Sequence, residues 1–153
     1  MKARMNVYQA APKLMQPLGE MDKLFKSGPL EASLLELVKM RASQINGCAY
    51  CLHMHSTDAR AHGESEERLY LLNAWRESPL YSDRERAALE WTESLTLITS
   101  GHAPDEVYAR VREQFNEEEM AHLTVAAATI NAWNRIAIAS RSQHPVKKLS
   151  ASQ

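Results

Sequence analysis

Apolar residues return every three or four positions along most of this chain, the spacing of one face of an α-helix, and no stretch alternates long enough to make a strand. Between about residues 6 and 27, Leu14, Leu18, Met21, Leu24 and Phe25 are available for burial. Pro17 is expected to divide that region into two short helices or to break one. "SGP" at 27–29 punctuates it. The run "LEASLLELVKMRASQ", followed by Ile45, then sets Leu34, Leu37, Val38 and Met40 among strong helix formers, and Asn46-Gly47 ends it. A new helix is expected to start beside Cys48 and run to His62-Gly63, with Gly63 as its C-cap. Another spans about Glu66–Glu77, before Pro79. Ser82 with Glu85 has capping-box spacing and opens a helix through about Thr99. Pro104 falls near the first turn of the next, which ends around Phe115. Asn116 with Glu119 repeats the capping spacing before "MAHLTVAAATINAWNRIAIAS", and the tail after Pro145 is expected to fray.

These elements add up to an all-α domain of roughly six to eight helices over residues 1–153, without an internal repeat or a linker. The last segment is Ala-rich and apolar around much of its circumference, so it needs neighbours on more than one side. It is expected to be a central core helix, an oligomer interface, or both.

Composition narrows the function more than the fold. The chain's 153 residues are 44% hydrophobic, which excludes disorder. Lys and Arg total 18 against 19 Asp and Glu, so the net charge of -1 offers nucleic acid no general attraction, and no zinc-finger, basic-helix or RNA-binding motif is present. No run of eighteen uncharged apolar residues predicts a membrane span, and the N-terminal stretch lacks a signal-peptide pattern. The cytoplasm is the expected location. There, two cysteines two residues apart point to redox or metal chemistry before a structural staple.

Both cysteines and two of the six histidines lie in "QINGCAYCLHMHS", residues 44–56. If a helix begins near Cys48, Cys51 is one turn on, where the pair can form a disulfide without unfolding the helix. Unpaired amides and the positive end of the helix stabilise a thiolate there, and Gly47 permits the tight turn before it. His55 follows Cys51 by four residues, so the three side chains share one stripe. An imidazole beside Cys51 accepts its proton or, as a cation, stabilises the thiolate. His53 points roughly 200° away from Cys51 and is the weaker candidate. Spacing alone leaves three readings open: a redox pair, a metal site, or neither. A four-ligand zinc site needs a distant donor, such as His102, His122, His144 or an acid, because there is no second cysteine pair.

Glu36 stands twelve residues before Cys48, which completes the pattern E-x11-C-x2-C-x3-H across Glu36, Cys48, Cys51 and His55. This pattern resembles the AhpD-like alkylhydroperoxidase group of the carboxymuconolactone decarboxylase superfamily. The likeness runs from about residue 30 through 141, and "NAWNRIAIA", Asn131 to Ala139, resembles that group's final core helix. The resemblance implies an all-helical homo-oligomer, a trimer or hexamer, that reduces hydroperoxides with a cysteine pair and without haem or flavin. It also implies an external dithiol or disulfide reductase as partner. By the same resemblance Cys51 is the peroxidatic cysteine, Cys48 the resolving one, and His55 and Glu36 belong to the proton relay. Where the peroxidase type has a histidine before the second cysteine, this chain has Tyr50, a hydrogen-bonding group but a poor neutral-pH base with its phenolic pKa near 10.

Other residues have blander expectations. Read locally, Glu36 is a solvated helix acid beside Lys39. Trp133, Asn134 and Arg135 are expected to make core or interface hydrogen bonds, His122 to be structural or exposed, and Trp75 and Trp91 to anchor packing. Arg41 is a candidate to neutralise an acid near the cysteine helix. The rival functions are a non-peroxidase thiol–disulfide oxidoreductase, a metal- or redox-sensing oligomer, and a lactone decarboxylase, the last of which has no evident need for a dithiol.

Overall fold

A computed structural model describes residues 2–146, and the frayed tail expected beyond Pro145 lies, from residue 147, outside the described residues. The chain is all-α, with eight α-helices and no strand among the described residues. They are α1 (Val7–Ala10), α2 (Pro12–Phe25), α3 (Ala32–Asn46), α4 (Ala49–Ala61), α5 (Glu66–Leu71), α6 (Asp83–Thr96), α7 (Asp105–Arg112) and α8 (Glu117–Ser140).

The starts of the long helices follow the capping chemistry of the sequence. Ser82 and Glu85 exchange both capping-box bonds, Ser82 N donating to Glu85 Oε2 at 2.8 Å and Glu85 N to Ser82 Oγ at 3.3 Å. Asn116 and Glu119 do the same, at 2.9 and 3.0 Å, ahead of three acids in the first turn of α8. Gly47 takes the left-handed φ of +69° that closes α3 and lets α4 begin immediately afterwards. At the far end of α4, His62 is the cap and Gly63, φ +90°, the left-handed residue after it.

Several helix ends differ from expectation, each for a local reason. The first region divides at Ala11, where Pro12 starts α2, whereas Pro17 sits inside α2 without ending it. Met15, Leu18 and Phe25 turn inward, while Leu14 and Leu24 remain 75% and 64% exposed and Met21 is exposed as well. The helix after Glu66 tightens at Leu72–Ala74 into a 3-10 turn, which stacks the buried Leu69, Leu72 and Trp75 at intervals of three. α6 stops at Thr96 and a second 3-10 turn covers Ile98–Ser100. Pro104 is the N-cap of α7, beside its first turn as expected, but the helix closes at Arg112, with Phe115 buried beyond it.

The core is layered around α3, which packs against α4, α6 and α8. Residues Leu34 through Met40 are buried without a break, so this helix is enclosed on all sides. The final helix α8 lies in the core too, against α3 and α6, but its outer face leaves Val125 and Ile138 exposed. Trp91 packs with Leu34, Val38 and Phe115 in one cluster, and Trp75 with Leu37, Met40 and Leu72 in another, as packing anchors. A third cluster holds Ala42, Cys48, Cys51, Ile130 and Ala137, where α3, α4 and α8 meet.

Candidate active site

Enclosure of α3 buries its charges with its leucines. Glu36 and Lys39 are both 8% exposed, so Glu36 is not the solvated acid that its local sequence implied. A buried carboxylate needs partners. His55 Nδ1 donates to Glu36 Oε2 across the α3–α4 contact at 2.8 Å, and Lys39 Nζ lies 3.5 Å from Oε1. Burial opposes the charge on Glu36, but the His55 hydrogen bond and the Lys39 cation outweigh it and hold the carboxyl below its usual 4.5. Because the carboxylate accepts at Nδ1, the imidazole's Nε2 is free for exchange with a substrate or another side chain.

Cys48 is the N-cap of α4, and its Sγ accepts the Cys51 amide at 3.3 Å. Both thiols are free and almost fully buried, at 1% and 2% exposure. They are not equivalent. The Cys51 thiol donates to Cys48 and, with the amides at the helix start and Asn134, brings Cys48 down to about 7 against the cost of burial. The same shared proton and burial push Cys51 up. The pair therefore shares one proton, its first ionisation eased by the helix start and its second opposed by burial and by the first charge.

Access runs the other way. A cavity of about 400 Å³ is lined by Tyr50, Cys51, His55 and Glu36, but not by Cys48, which lies behind Cys51. Four of the five expected site residues thus open on one cavity, with the fifth at its back. His53 is outside it and stacks on His144, ring centroids 4.8 Å apart. Arg41 is elsewhere, pairing with Glu93 Oε1 at 2.7 Å, and the cation beside the site acid is Lys39. His122 packs against the backbone at Gly28, a structural place, as expected.

The neighbours of the dithiol contribute more than their local sequence signals. Trp133 lines the cavity, and its Nε1 donates to Asp22 Oδ2 at 2.5 Å, which ties α8 to α2. Asn134 is fully buried; its Nδ2 donates to Ser43 Oγ at 3.0 Å, and its Oδ1 accepts from Asn46 Nδ2 at 2.8 Å. Asn46 Nδ2 also reaches Asn131 Oδ1 at 2.9 Å, so an amide network staples the turn before Cys48 to α8. Arg135 bonds back to Asn131, within its own helix, as expected for a structural residue. Tyr8 and Asp22 reach the cavity from α1 and α2 with no local signal, whereas Asp58 follows His55 by three residues and its helical register was readable.

The donor atoms of Glu36, His55 and Asp58 lie within 4.8 Å of one another, the one group of three or more potential metal ligands among the described residues. It includes neither sulfur, and the histidines considered as a fourth zinc ligand are not part of it. Its two buried members are already engaged with each other and with Lys39. No helix of the described residues is long and apolar enough to cross a membrane.

The all-helical fold of this chain is AhpD-like. Residues 10–94 match the carboxymuconolactone decarboxylase family, and the chain belongs to that family. Its relative YdfG of Bacillus subtilis, an uncharacterised protein, is 47% identical over 139 residues, which cover 91% of this chain and 95% of YdfG. A crystal structure from Agrobacterium tumefaciens, of a protein of unknown function provisionally grouped with the antioxidant defence protein AhpD, is 42% identical. It superposes with a TM-score of 0.92 over 95% of this chain and all of its own. An alkylhydroperoxidase AhpD core from Ralstonia eutropha, an uncharacterised peroxidase-related protein, shares the fold at 16% identity, with a TM-score of 0.78 over 90% of this chain and 73% of its own.

Proposed function

We propose that this protein reduces hydroperoxides with the Cys48–Cys51 dithiol. The observation that carries the reading is the placement of Cys51 on a cavity shared with the Glu36–His55 pair, with Cys48 directly behind it. For attack the shared proton moves from Cys51 to Cys48, which leaves Cys51, the thiol on the cavity, as the nucleophile. Its sulfur attacks the terminal oxygen of ROOH; the O–O bond breaks, and the electron pair leaves with the RO oxygen. That alkoxide takes a proton from the His55–Glu36 relay to become ROH, while Cys51 is left as a sulfenic acid. Cys48 then gives its proton to the relay and attacks the Cys51 sulfur, so that hydroxide leaves and is protonated to water. Since the pair starts singly ionised, one proton enters from solvent. The dithiol has lost two electrons to the peroxide, and an external dithiol restores it by exchange.

Tyr50, at the cavity wall one residue before Cys51, is suited to hydrogen-bond the peroxide rather than to act as a base. The exposed Leu14, Met21 and Leu24 of α2 and Val125 and Ile138 of α8 support self-association of the chain as part of the same proposal. The metal-sensing reading loses support because the Glu36–His55–Asp58 group omits both sulfurs and has the Lys39 cation beside it.

The test mixes reduced, metal-free protein with cumene hydroperoxide and follows peroxide and free thiol together. Loss of one peroxide per chain, with conversion of Cys48 and Cys51 to a disulfide, is expected. Cys48→Ser should stop at a sulfenic acid that dimedone traps on Cys51, and Cys51→Ser should leave the peroxide untouched. Thiols oxidised no faster than a small free dithiol would overturn the proposal. Light scattering of the same sample reads the oligomer, and a monomer at all concentrations would remove the self-association.

A further inference from the structure

The dithiol does not select among peroxides; the walls above Cys51 do. At about 400 Å³ the cavity falls in the range of small-molecule sites and is far larger than hydrogen peroxide, a molecule of about two waters' volume, requires. Asp22 is engaged with the Trp133 indole and Glu36 with His55 and Lys39, while Lys26, Asp58 and His62 also line the cavity. The apolar and aromatic part of the lining is Tyr8, Tyr50, Met54, Trp133 and Ala137.

Three features fix an aromatic wall there. The Trp133 indole cannot rotate freely, because its N–H is held by Asp22 of α2. Tyr8 stacks beside it, ring centroids 6.3 Å apart and planes 22° from parallel, so the two rings form one continuous, slightly folded apolar surface. Gly19 of α2 also lines the cavity, and a Cβ added to it would meet no atom within 4 Å. Packing does not require a glycine at that position, and a helix interior disfavours one. The room left over Gly19 is space for an occupant.

We infer that the cavity binds an aromatic hydroperoxide with its ring against Trp133 and Tyr8 and its peroxide on Cys51; this rests on the dithiol reading above for the chemistry, but not for the binding. Trp133 is the specificity-determining residue, and Asp22 positions it. The reaction is the one already balanced, with an aryl-bearing alcohol as ROH.

The experiment separates binding from reaction. Calorimetry on the reduced protein with 2-phenyl-2-propanol, the redox-inert alcohol derived from cumene hydroperoxide, is expected to show saturable binding. Binding of tert-butanol should be weaker by about tenfold or more, since an aromatic contact is worth close to that factor. Trp133→Leu should weaken the aromatic alcohol about tenfold, and Trp133→Phe, which keeps a ring, should recover most of it. Gly19→Leu, which fills the space, should also weaken it. In thiol-oxidation rates, the preference for cumene hydroperoxide over hydrogen peroxide should fall by the same factor in Trp133→Leu. Equal binding of the two alcohols by the wild-type protein, or no saturable binding of either, would overturn the inference whatever the variants do. Binding that discriminates as expected in a protein whose thiols no peroxide oxidises would leave the aromatic site standing and remove the peroxidase reading.

Discussion

Replacement of Glu36 by Gln tests the site and the fold with one atom changed. Glu36 accepts from His55 Nδ1 at 2.8 Å and faces Lys39 Nζ at 3.5 Å, in side chains that are 7–10% exposed. The amide of Glu36→Gln still accepts from His55 but turns no charge toward Lys39. A hydrogen bond to a charged group contributes about 1.5–3 kcal/mol, and the removal of one partner from a buried ion pair costs about 3–5 kcal/mol. Because one hydrogen bond survives, the expected loss of stability at neutral pH is about 2–3 kcal/mol. The Glu36 carboxyl is held below its usual 4.5 although burial opposes this, because His55 and Lys39 favour the charged form. A depressed folded value means that the contribution is complete above the ordinary carboxyl range and disappears as pH falls through the lower folded value. The gap between wild type and Glu36→Gln should therefore be constant from pH 6 to 8 and close in acid, where wild-type Glu36 carries a proton as well. Urea unfolding of reduced protein at one protein concentration measures this, with the slope unchanged and the midpoint moved. If Glu36 serves the proposed relay, the same variant should also slow thiol oxidation by peroxide by about a hundredfold. A variant within about 0.5 kcal/mol of wild type at pH 7, the size of an ordinary surface change, would refute the buried pair. So would a gap that persists undiminished in acid.

Titration of thiolate absorbance should show one ionisation near pH 7 for the reduced protein; Cys51→Ala, which removes the thiol donor to Cys48, should move that midpoint up toward 9.0. An unmoved midpoint would mean that the helix start alone holds the thiolate. Gly28→Ala puts a methyl 2.7 Å from His122 Nδ1 and 2.8 Å from Cε1. It should cost about 1–3 kcal/mol as an overpacked contact, and His122→Ala in the same chain should recover most of the loss; additive effects in thermal unfolding would deny the clash. Glu93 gathers Arg41 Nε at 2.7 Å, Trp75 Nε1 at 2.9 Å and Arg76 Nη1 at 2.5 Å, and against burial these partners hold its carboxyl low. Glu93→Gln should destabilise by about 2–4 kcal/mol at pH 7, converging with wild type below pH 4.5 as the depressed carboxyl titrates in wild type. Equal stabilities at neutral pH would show that the three contacts contribute nothing net.

Whatever depends on residues within about a turn of one another was legible in the amino-acid order alone. Asn116 with Glu119, and Ser82 with Glu85, start their helices because each pair satisfies its own orphan amides. Gly47 stops α3 because only a residue free of Cβ adopts its φ cheaply, and so Cys48 falls at the start of α4 with Cys51 and His55 on one stripe above it. Even the family pattern from Glu36 to His55 spans just two adjacent helices. Helix ends were less legible where packing chose them, as at Leu72, which a 3-10 turn sets in line with Leu69 and Trp75. Packing between distant helices encloses α3 on every side, turns Lys39 rather than Arg41 toward the site acid, and brings Cys51 alone of the pair to the cavity. The cavity itself joins Tyr8 and Asp22 to Trp133, although Asp22 and its indole partner are 111 positions apart. No periodicity encodes that meeting, because which faces touch is settled by the summed burial of whole helices and not by the local preferences of any one of them.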